Sequence, residues 1–515
     1  MRERFHITLV VGIVLVALFF RVWQLWGIDS RPPGLFSDEA MNGNNVFEAI
    51  NTGNFKIFYP ENNGREGLFI NLQAISVMLL GRTSFALRIV AALFGVLTVL
   101  GIYLFTKEYL RDSRAALLAS SLTAISLWPI MLSRLGFRAN MAPFFLTAGL
   151  WLLYATWNRR NDAHHNRVLI AACIGGLLFG LGFHSYIAYR AAPIILAAPF
   201  LLFVQSAWKE RNHCIICIPT LFLFFTFIAT TPLLYFFLQN PEDFFGRTAQ
   251  ISVFESPDPV AAFAKNIGIT LQMFYFAGDY NARHNLPGTP QLWWPVAIFF
   301  TLGIVEAFRK KYMVLLLWFF AMMLPVAVSN EGLPHALRAI IMIPPVFILA
   351  GIGMSALWKY ASRKITAPVA SAAGILVLIA LGYTTYHQYF KQWEAKEAFG
   401  GDLYRIGLFL NDAPEEVPKY VITDEVDSID RTGRPMALQA ILFTTGTYLP
   451  TPLGHRNIHY VTANQIDQVD CKTDCMVVPI SNPHRILSLI QKRYPNVIFD
   501  RSIEHDHQLF VARPK

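Results

Sequence analysis

The sequence contains little charge for its length. Of its 515 residues only 15% are charged, whereas 54% are hydrophobic and 14% aromatic. Soluble domains average about 25% charged residues, so this composition excludes an ordinary soluble enzyme. The high apolar content also excludes a disordered chain. Cysteine is scarce as well, at five residues. An integral membrane protein remains.

The sequence also lacks a basic face and any nucleic-acid-binding motif. Its formal net charge of +9 comes from Lys and Arg residues that separate apolar blocks rather than forming one surface. We therefore expect no nucleic-acid partner. No internal repeat or low-complexity tract is evident, which weighs mildly against transporter folds built from repeated halves.

Apolar blocks of about 20 residues, the length that crosses a bilayer core, recur along the chain. The first, residues 7–26, follows a short basic head and precedes no small-residue cleavage site, so we interpret it as a retained anchor. The sequence therefore predicts a polytopic α-helical membrane protein with about eleven transmembrane helices. The other candidate spans are residues 84–106, 115–133, 140–157, 168–186, 189–206, 214–237, 291–308, 312–329, 339–358 and 366–386.

The short loops between spans predict the orientation. If the N-terminus is cytoplasmic, every short inner loop is rich in Lys and Arg, as the positive-inside rule requires. Two long loops, residues 27–83 and 238–290, then lie on the extracytoplasmic side. The transmembrane domain is expected to comprise residues 1–390, and residues 391–515 are expected to form a small extracytoplasmic α/β domain. There the spacing of Cys471 and Cys475 leaves a disulfide open.

An acid pair, Asp38-Glu39, follows the first span by about a dozen residues and begins a predicted interfacial helix. Ser37 is the predicted N-cap of that helix. A helix N-terminus stabilises an ionised carboxylate, which suits a general base or a metal ligand. The alternative is that both acids only cap the helix.

A second polar segment lies in the loop 238–290, between Gly278 and Gly288. Gly and Pro frame it, which predicts a rigid loop rather than a helix. The segment could order over a substrate as a lid, bind the acceptor, or be a solvated turn. Its candidate functional residues are Asp279, Arg283, His284 and Asn285.

Several short outer loops each contain basic or aromatic polar residues. Arginine pairs bidentately with phosphate oxygens, so a group of them would bind the phosphate of a lipid whose tail stays in the bilayer. Taken singly, each is more often a snorkelling anchor. The candidate phosphate-binding residues are Arg138, Arg190, Arg338, Tyr186, Tyr189 and His335.

The order of these segments resembles a known family. An N-terminal span is followed by Pro33-Gly34-Leu35 with Asp38-Glu39, then by residues 81–88 and 132–138. This order is similar to that of the GT-C integral membrane glycosyltransferases. Within that family it resembles the branch of dolichyl-phosphate-mannose protein mannosyltransferases and lipid A aminoarabinose transferases. The resemblance covers about the first 390 residues and is strongest over residues 30–190.

The resemblance implies a reaction and its participants. The donor is expected to be a polyprenyl-phosphate-linked sugar, and the acceptor an extracytoplasmic lipid, glycan or protein. Transfer is expected to invert the anomeric carbon, with Asp38 as the base and Glu39 as its neighbour. Metal dependence varies across the family, so a divalent metal is an open question. Glu66 and His184 are the candidate ligands.

Three other interpretations stay open from sequence. A ligase or polymerase that moves a diphosphate-linked oligosaccharide would also combine many spans with Arg-rich outer loops. A transporter or lipid flippase would place ionisable residues near mid-membrane, where this chain has few, chiefly Arg21 and Arg88. A non-catalytic scaffold for the outer domain would not need so many basic outer turns.

Overall fold

A computed structural model describes residues 2–27, 30–161, 165–210, 214–250, 252–393, 397–424, 429–430, 433–449, 456–502 and 509–514. Packing divides the chain into two compact units. The first unit comprises Met1–Leu25, Ile57–Phe69 and Arg88–Glu394, and the second comprises Trp26–Lys56, Ile70–Leu87 and Ala395–Lys515. Parts of the first long loop therefore belong to the same unit as the C-terminal segment. The predicted domain boundary near residue 390 stays a prediction.

The helices and strands are named here in chain order. The helices are α1 Arg2–Val22, α2 Ser37–Thr52, α3 Gly67–Leu80, α4 Ser84–Leu110, α5 Ser113–Ile125, α6 Leu127–Ser133, α7 Met141–Asn158, α8 His165–Leu181, α9 Pro193–Glu210, α10 Cys214–Gln239, α11 Pro241–Gln250, α12 Pro259–Gln272, α13 Trp294–Arg309, α14 Met313–Ala327, α15 Ile343–Lys364, α16 Ala367–His387, α17 Gly401–Asp412, α18 Gln439–Thr445 and α19 Pro483–Arg493. The strands are β1 Phe58–Tyr59, β2 Arg65–Glu66, β3 Lys419–Thr423, β4 Ile458–Thr462, β5 Cys475–Pro479, β6 Val497–Ser502 and β7 Leu509–Pro514.

Each predicted span coincides with helical structure, which confirms the polytopic helical class. Within the described residues, seven helices are individually long and apolar enough to cross a membrane, or eight if the bent pair α5 and α6 forms one span. The sequence predicted about eleven. The difference arises because α7, α13 and α14, of 18, 16 and 15 residues, are too short or too polar to reach the usual length of about 20 apolar residues.

Close packing in the first unit depends on glycine where α13 crosses α15. A Cβ atom on Gly303 would overlap the backbone carbonyl of Leu349, and one on Gly353 would overlap that of Phe299. Because lipid supplies no hydrophobic force between helices, small residues that let backbones approach are a main source of packing energy in membranes. The two glycines therefore set the distance between these helices.

Buried arginines bind backbone carbonyls at helix ends in the first unit, and one of these ends is the break between α5 and α6, where the helix axis bends by 59°. Arg21 of α1 donates hydrogen bonds to the carbonyls of Thr123 and Ala124 at 3.3 and 3.1 Å. Arg134, which follows α6, donates to the carbonyl of Phe20 at 2.8 Å. These carbonyls would otherwise be exposed to an apolar environment at helix ends. Arg21, one of the mid-span charges, thus has a packing role.

The C-terminal part of the second unit contains a five-stranded mixed sheet with the order β4-β3-β5-β7-β6. Strand β3 pairs in parallel with β4 and β5, and β7 pairs antiparallel with β5 and β6. Side chains of β3 alternate between two apolar clusters, with Tyr420 and Ile422 on one face and Val421 on the other. Ile486 and Ile490 of α19 join the first cluster. The predicted small α/β region is confirmed.

Cys471 and Cys475, which the sequence left open, form a disulfide. Their Cα atoms are 5.4 Å apart, within the range that a disulfide requires. Both residues are buried in the apolar cluster on one face of β3, so the bond joins the start of β5 to the turn before it.

Helix α2, from the first long loop, packs against α18 in the second unit. Asn44 Nδ2 donates to the backbone oxygen and to the side-chain Oε1 of Gln439, at 3.1 and 2.8 Å. Gln439 Nε2 in turn donates to Asp430 at 2.8 Å. A Cβ atom on Gly43 would overlap the ring of Phe443, so glycine permits this approach. The helix that begins with the acid pair is therefore held by C-terminal residues.

Candidate active site

The acid pair lies in the first turn of α2, but its two members have different surroundings. The predicted N-cap, Ser37, is wrong. Phe36 is the cap because its backbone is extended (φ −65°, ψ 148°) and the helix begins at Ser37. Glu39 is fully buried, and its Oε2 accepts a hydrogen bond from the Phe36 amide at 3.3 Å. Glu39 thus caps the helix, as the alternative interpretation predicts, whereas Asp38 is half-buried.

The segment before the acid pair is tightly fixed within the second unit. Gly34 has a φ of 66°, in the left-handed region that favours glycine. A Cβ atom on Gly34 would overlap the backbone of Gly401. The rings of Phe36 and Phe399 lie 6.5 Å apart, edge to face. The Pro33-Gly34-Leu35 motif therefore fixes where α2 begins.

In the first unit, Glu66 is the centre of a charged group that we call the Glu66 cluster, comprising Glu66, Arg138, His184, Tyr186 and Arg190. The buried Glu66 ends strand β2, and its Oε2 accepts a hydrogen bond from Arg138 Nε at 2.6 Å. The Arg138 guanidinium lies 5.9 Å from the centre of the Tyr186 ring. The sequence predicts Glu66 as a metal ligand and Arg138 as a phosphate-binding residue. In the structure the two side chains form an ion pair with each other.

His184 and Arg190 complete the Glu66 cluster. His184 Nε2 lies 2.8 Å from the carbonyl of Ala229. Arg190 Nη1 donates to the carbonyl of Phe244 at 2.8 Å, with its guanidinium 4.1 Å from that ring centre. Both side chains interact electrostatically with Glu66. Two guanidinium groups thus accompany one carboxylate, and the excess positive charge suits an anionic ligand.

Two of the predicted phosphate-binding residues have protein partners. Tyr189 is buried, and its hydroxyl donates to the carbonyl of Phe179 at 3.0 Å. Arg338 Nη2 donates to Glu331 Oε2 at 2.8 Å, and its Nη1 donates to the Ser329 hydroxyl. These contacts give both side chains a structural role, so a phosphate contact of either one stays a prediction.

The Gly278–Gly288 segment is a closed loop, as its Gly and Pro framing predicts. Two backbone hydrogen bonds join its ends. The Gly278 amide donates to the Gly288 carbonyl at 3.2 Å, and the Gly288 amide donates to the Asp279 carbonyl at 3.0 Å. Further hydrogen bonds lie inside the loop, among them Asn281 N to Asp279 Oδ1 at 2.7 Å, Arg283 Nε to Asn281 Oδ1 at 3.2 Å and Asn285 Nδ2 to the Asp279 carbonyl at 3.1 Å. The loop is therefore a rigid element.

Asp279 joins this loop to the segment before α15. Its Oδ2 accepts from the Ala336 amide at 2.8 Å and lies 3.2 Å from His284 Nδ1 and 3.9 Å from His335 Nδ1. The two imidazole rings stack with centres 4.9 Å apart. Burial lowers the pKa of His284, and its hydrogen bond with Asp279 opposes part of that shift. We call Asp279, His284 and His335 the Asp279 cluster.

The structure therefore regroups the residues that the sequence singled out. One possible ligand atom from each member of the Asp279 cluster lies within 4.8 Å of the other two, although the sequence assigned Asp279 and His284 to a lid and His335 to a phosphate. Spacing gave no signal for this group, because two helices separate His284 from His335 along the chain. The predicted metal ligands Glu66 and His184 are instead engaged with Arg138 and with a backbone carbonyl.

Comparison with known proteins agrees with the fold. The model of the dolichyl-phosphate-mannose-protein mannosyltransferase family matches residues 68–236. No curated protein sequence matches the chain significantly. The structure of ArnT from Cupriavidus metallidurans in the apo state is similar, with a TM-score of 0.60 and 14% identity over 99% of this chain and 98% of that one. The chain therefore matches the mannosyltransferase family model over residues 68–236 and has the GT-C fold. The resemblance noted in the sequence is confirmed.

This GT-C protein is also similar to two ligand-bound structures. One is the same ArnT bound to undecaprenyl phosphate, with a TM-score of 0.57 and 13% identity over 98% of this chain and 97% of that one. The other is the oligosaccharyltransferase AglB from Archaeoglobus fulgidus with an inhibitory peptide and a dolichol-phosphate, with a TM-score of 0.54 and 17% identity over 94% of this chain. The GT-C protein spans 65% of the AglB chain. At these identities the likeness shows the fold.

Proposed function

We propose that this GT-C protein transfers a sugar from a polyprenyl-monophosphate donor to an extracytoplasmic acceptor by inverting single displacement, with Asp38 as the base. The donor class is supported by the similarity in fold to ArnT, whose structure contains undecaprenyl phosphate. It is also supported by the excess positive charge of the Glu66 cluster, which suits a lipid phosphate.

The main support for Asp38 as the base is that the two acids of the pair differ in burial and in hydrogen bonding. Glu39 is buried and its carboxylate bonds to the start of its own helix, so it is poorly placed to accept a proton from a substrate. Asp38 is half-buried in the same first turn. Of the two acids, Asp38 is the more exposed.

The chemistry requires one proton acceptor and one stabilised leaving group. Asp38 accepts the proton of the attacking hydroxyl or amine while that atom bonds to the anomeric carbon. The bond from the anomeric carbon to the phosphate oxygen breaks on the opposite face, and its electron pair stays on the departing polyprenyl phosphate. That group needs charge stabilisation rather than a proton, and a guanidinium group is one that can supply it.

A metal at Glu66 and His184 does not fit their present contacts. Glu66 Oε2 is 2.6 Å from a guanidinium nitrogen, and His184 Nε2 is hydrogen-bonded to a backbone carbonyl at 2.8 Å. A metal ion at Glu66 Oε2 would have to displace the Arg138 guanidinium and would be repelled by it, because both are cations. No step of the proposed reaction therefore passes through a metal at this position.

The likeness to AglB favours a second candidate, transfer of an oligosaccharide from a lipid carrier. The two candidates share a membrane fold but differ in their donors, because one uses a monosaccharide on a monophosphate and the other an oligosaccharide on a diphosphate. Release of polyprenyl phosphate or diphosphate from matched donors distinguishes them.

The test is donor consumption by the purified protein in lipid nanodiscs, supplied with a panel of polyprenyl-monophosphate sugars and candidate acceptors. Asp38→Asn should lower the rate of polyprenyl phosphate release by about 10² to 10⁴, the usual value of a general base. Asp402→Asn is the matched control, because Asp402 is also an acid in the first turn of a helix, α17. Equal rates for wild type and Asp38→Asn would remove Asp38 as the base, and consumption of diphosphate donors alone would favour the second candidate.

A further inference from the structure

Three side chains from two separate segments meet at one carboxylate oxygen in the first unit. Asp279 Oδ2 lies 3.2 Å from His284 Nδ1 and 3.9 Å from His335 Nδ1. We propose that Asp279, His284 and His335 bind a divalent transition-metal ion, Zn²⁺ foremost, which joins the Gly278–Gly288 loop to the segment before α15.

The ligand chemistry selects the class of metal. Two imidazoles and one carboxylate form a ligand set that zinc uses in sites with an open fourth position, and that other first-row divalent metals also accept. Ca²⁺ and Mg²⁺ prefer sites made of oxygen ligands, so they fit this set poorly. Zinc binding is thus the expected result when metals are compared.

The spacing of the three ligand atoms is near that of a metal site. Bonds of about 2.0–2.2 Å from zinc to nitrogen or oxygen place tetrahedral ligand atoms roughly 3.3–3.6 Å apart. The two distances from Asp279 Oδ2, 3.2 and 3.9 Å, lie on either side of that range. Small side-chain rotations close the remaining difference, and His335 is the least confined of the three, with 15% of its side chain exposed.

His284 and His335 lie at different distances from the Asp279 carboxylate. His284 Nδ1 is within hydrogen-bond distance of Asp279, whereas His335 Nδ1 at 3.9 Å is too far from the same oxygen. His335 Nδ1 instead accepts a long bond from the Arg338 amide at 3.4 Å. The lone pair that His335 Nδ1 offers to this amide is the one that a metal would take, so metal binding would replace this long hydrogen bond.

The surroundings also support a metal site. Backbone amides of Asn281 and Ala336 hold the Asp279 carboxylate at 2.7 and 2.8 Å, as outer partners orient a ligating carboxylate. Arg338 lies close enough to act on His284, but Glu331 pairs with its guanidinium at 2.8 Å and offsets that charge. The carboxylate ligand is therefore oriented before any metal binds.

The experiment measures Zn²⁺ binding to the full-length protein in nanodiscs, purified with a histidine-free tag and stripped with a chelator. Metal content by elemental analysis should give about one Zn²⁺ per chain, and Zn²⁺ should raise the unfolding temperature because it binds the folded state. His335→Ala and His284→Ala should each weaken binding by at least the 10- to 100-fold typical of losing an outer partner of a metal site. His387→Ala is the control, because His387 is exposed on α16.

Several outcomes would overturn the proposal. One is that wild type binds no Zn²⁺, and another is that His335→Ala binds Zn²⁺ as tightly as wild type and His387→Ala do. If the His284 variant fails to fold, the more exposed His335→Ala still decides the question. Because no sugar donor is used, the result is independent of the proposed transferase reaction.

Discussion

The ion pair between Glu66 and Arg138 gives a prediction about stability. Glu66 has only 4% of its side chain exposed, whereas Arg138 has 23% exposed, and the two atoms are 2.6 Å apart. Arg138→Met leaves a buried carboxylate without the guanidinium that hydrogen-bonds to it, whereas Glu66→Gln leaves a guanidinium that reaches solvent. We therefore expect Arg138→Met to be the more destabilising of the two single variants.

The magnitude follows from the cost of an unpaired buried charge. Removing one partner of a buried pair costs about 3–5 kcal/mol, which is the destabilisation we expect for Arg138→Met. Glu66→Gln should cost less, roughly 1–2 kcal/mol, because the Arg138 side chain that it leaves unpaired is partly exposed to solvent. The double variant removes both charges, so its destabilisation should be less than the sum of the two single ones by about 2 kcal/mol, as expected for a directly interacting pair.

The assay is thermal unfolding of all four proteins in the same lipid at a single scan rate, followed by tryptophan fluorescence. A fixed scan rate matters because membrane proteins of this size often unfold irreversibly. The reasoning is refuted if the two single effects add without coupling, or if Glu66→Gln is the more destabilising change. In either case Arg138 would not be the charge partner that Glu66 requires.

Two further predictions concern packing. Gly303→Ala should lower the unfolding temperature, since overpacking typically costs about 1–3 kcal/mol, whereas Gly382→Ala should not, because a Cβ atom there meets nothing within 4 Å. Gln439→Ala removes the side-chain acceptor at 2.8 Å from Asn44 and should lower the free energy of unfolding by about 1–3 kcal/mol. The variant should also transfer sugar more slowly, because α2 is held less firmly. If neither the unfolding temperature nor the transfer rate changed, this contact would be unimportant.

Much of the secondary structure could be predicted because it depends on local pattern. Long apolar runs gave the positions of the spans, and the runs at Tyr420 and Met476 fall in β3 and β5. The N-cap was predicted wrongly because Ser is the commoner cap by type, whereas here the backbone of Phe36 leaves the helix. The residue preference at an N-cap is overridden when packing fixes the chain that precedes the helix.

The grouping of site residues could not be predicted, because it depends on contacts between distant segments. Neither the pairing of Glu66 with Arg138 nor the approach of His335 to Asp279 has a spacing signature. The sequence identified Asp279 and His284 as notable from their density of polar neighbours. It could not identify their partner, because α13 and α14 separate His335 from them along the chain.

The hydrogen bond between Asn44 and Gln439 joins residues 395 positions apart, which has a consequence for biosynthesis. At about 5–20 residues per second, the ribosome needs roughly 20–80 s to pass from one to the other. During that interval α2 is made but lacks its partner helix, with the buried face of Asn44 and Gly43 uncovered. The contact that holds α2 therefore cannot form before α18 has been made, and a ribosome that stalls before α18 would leave α2 without it.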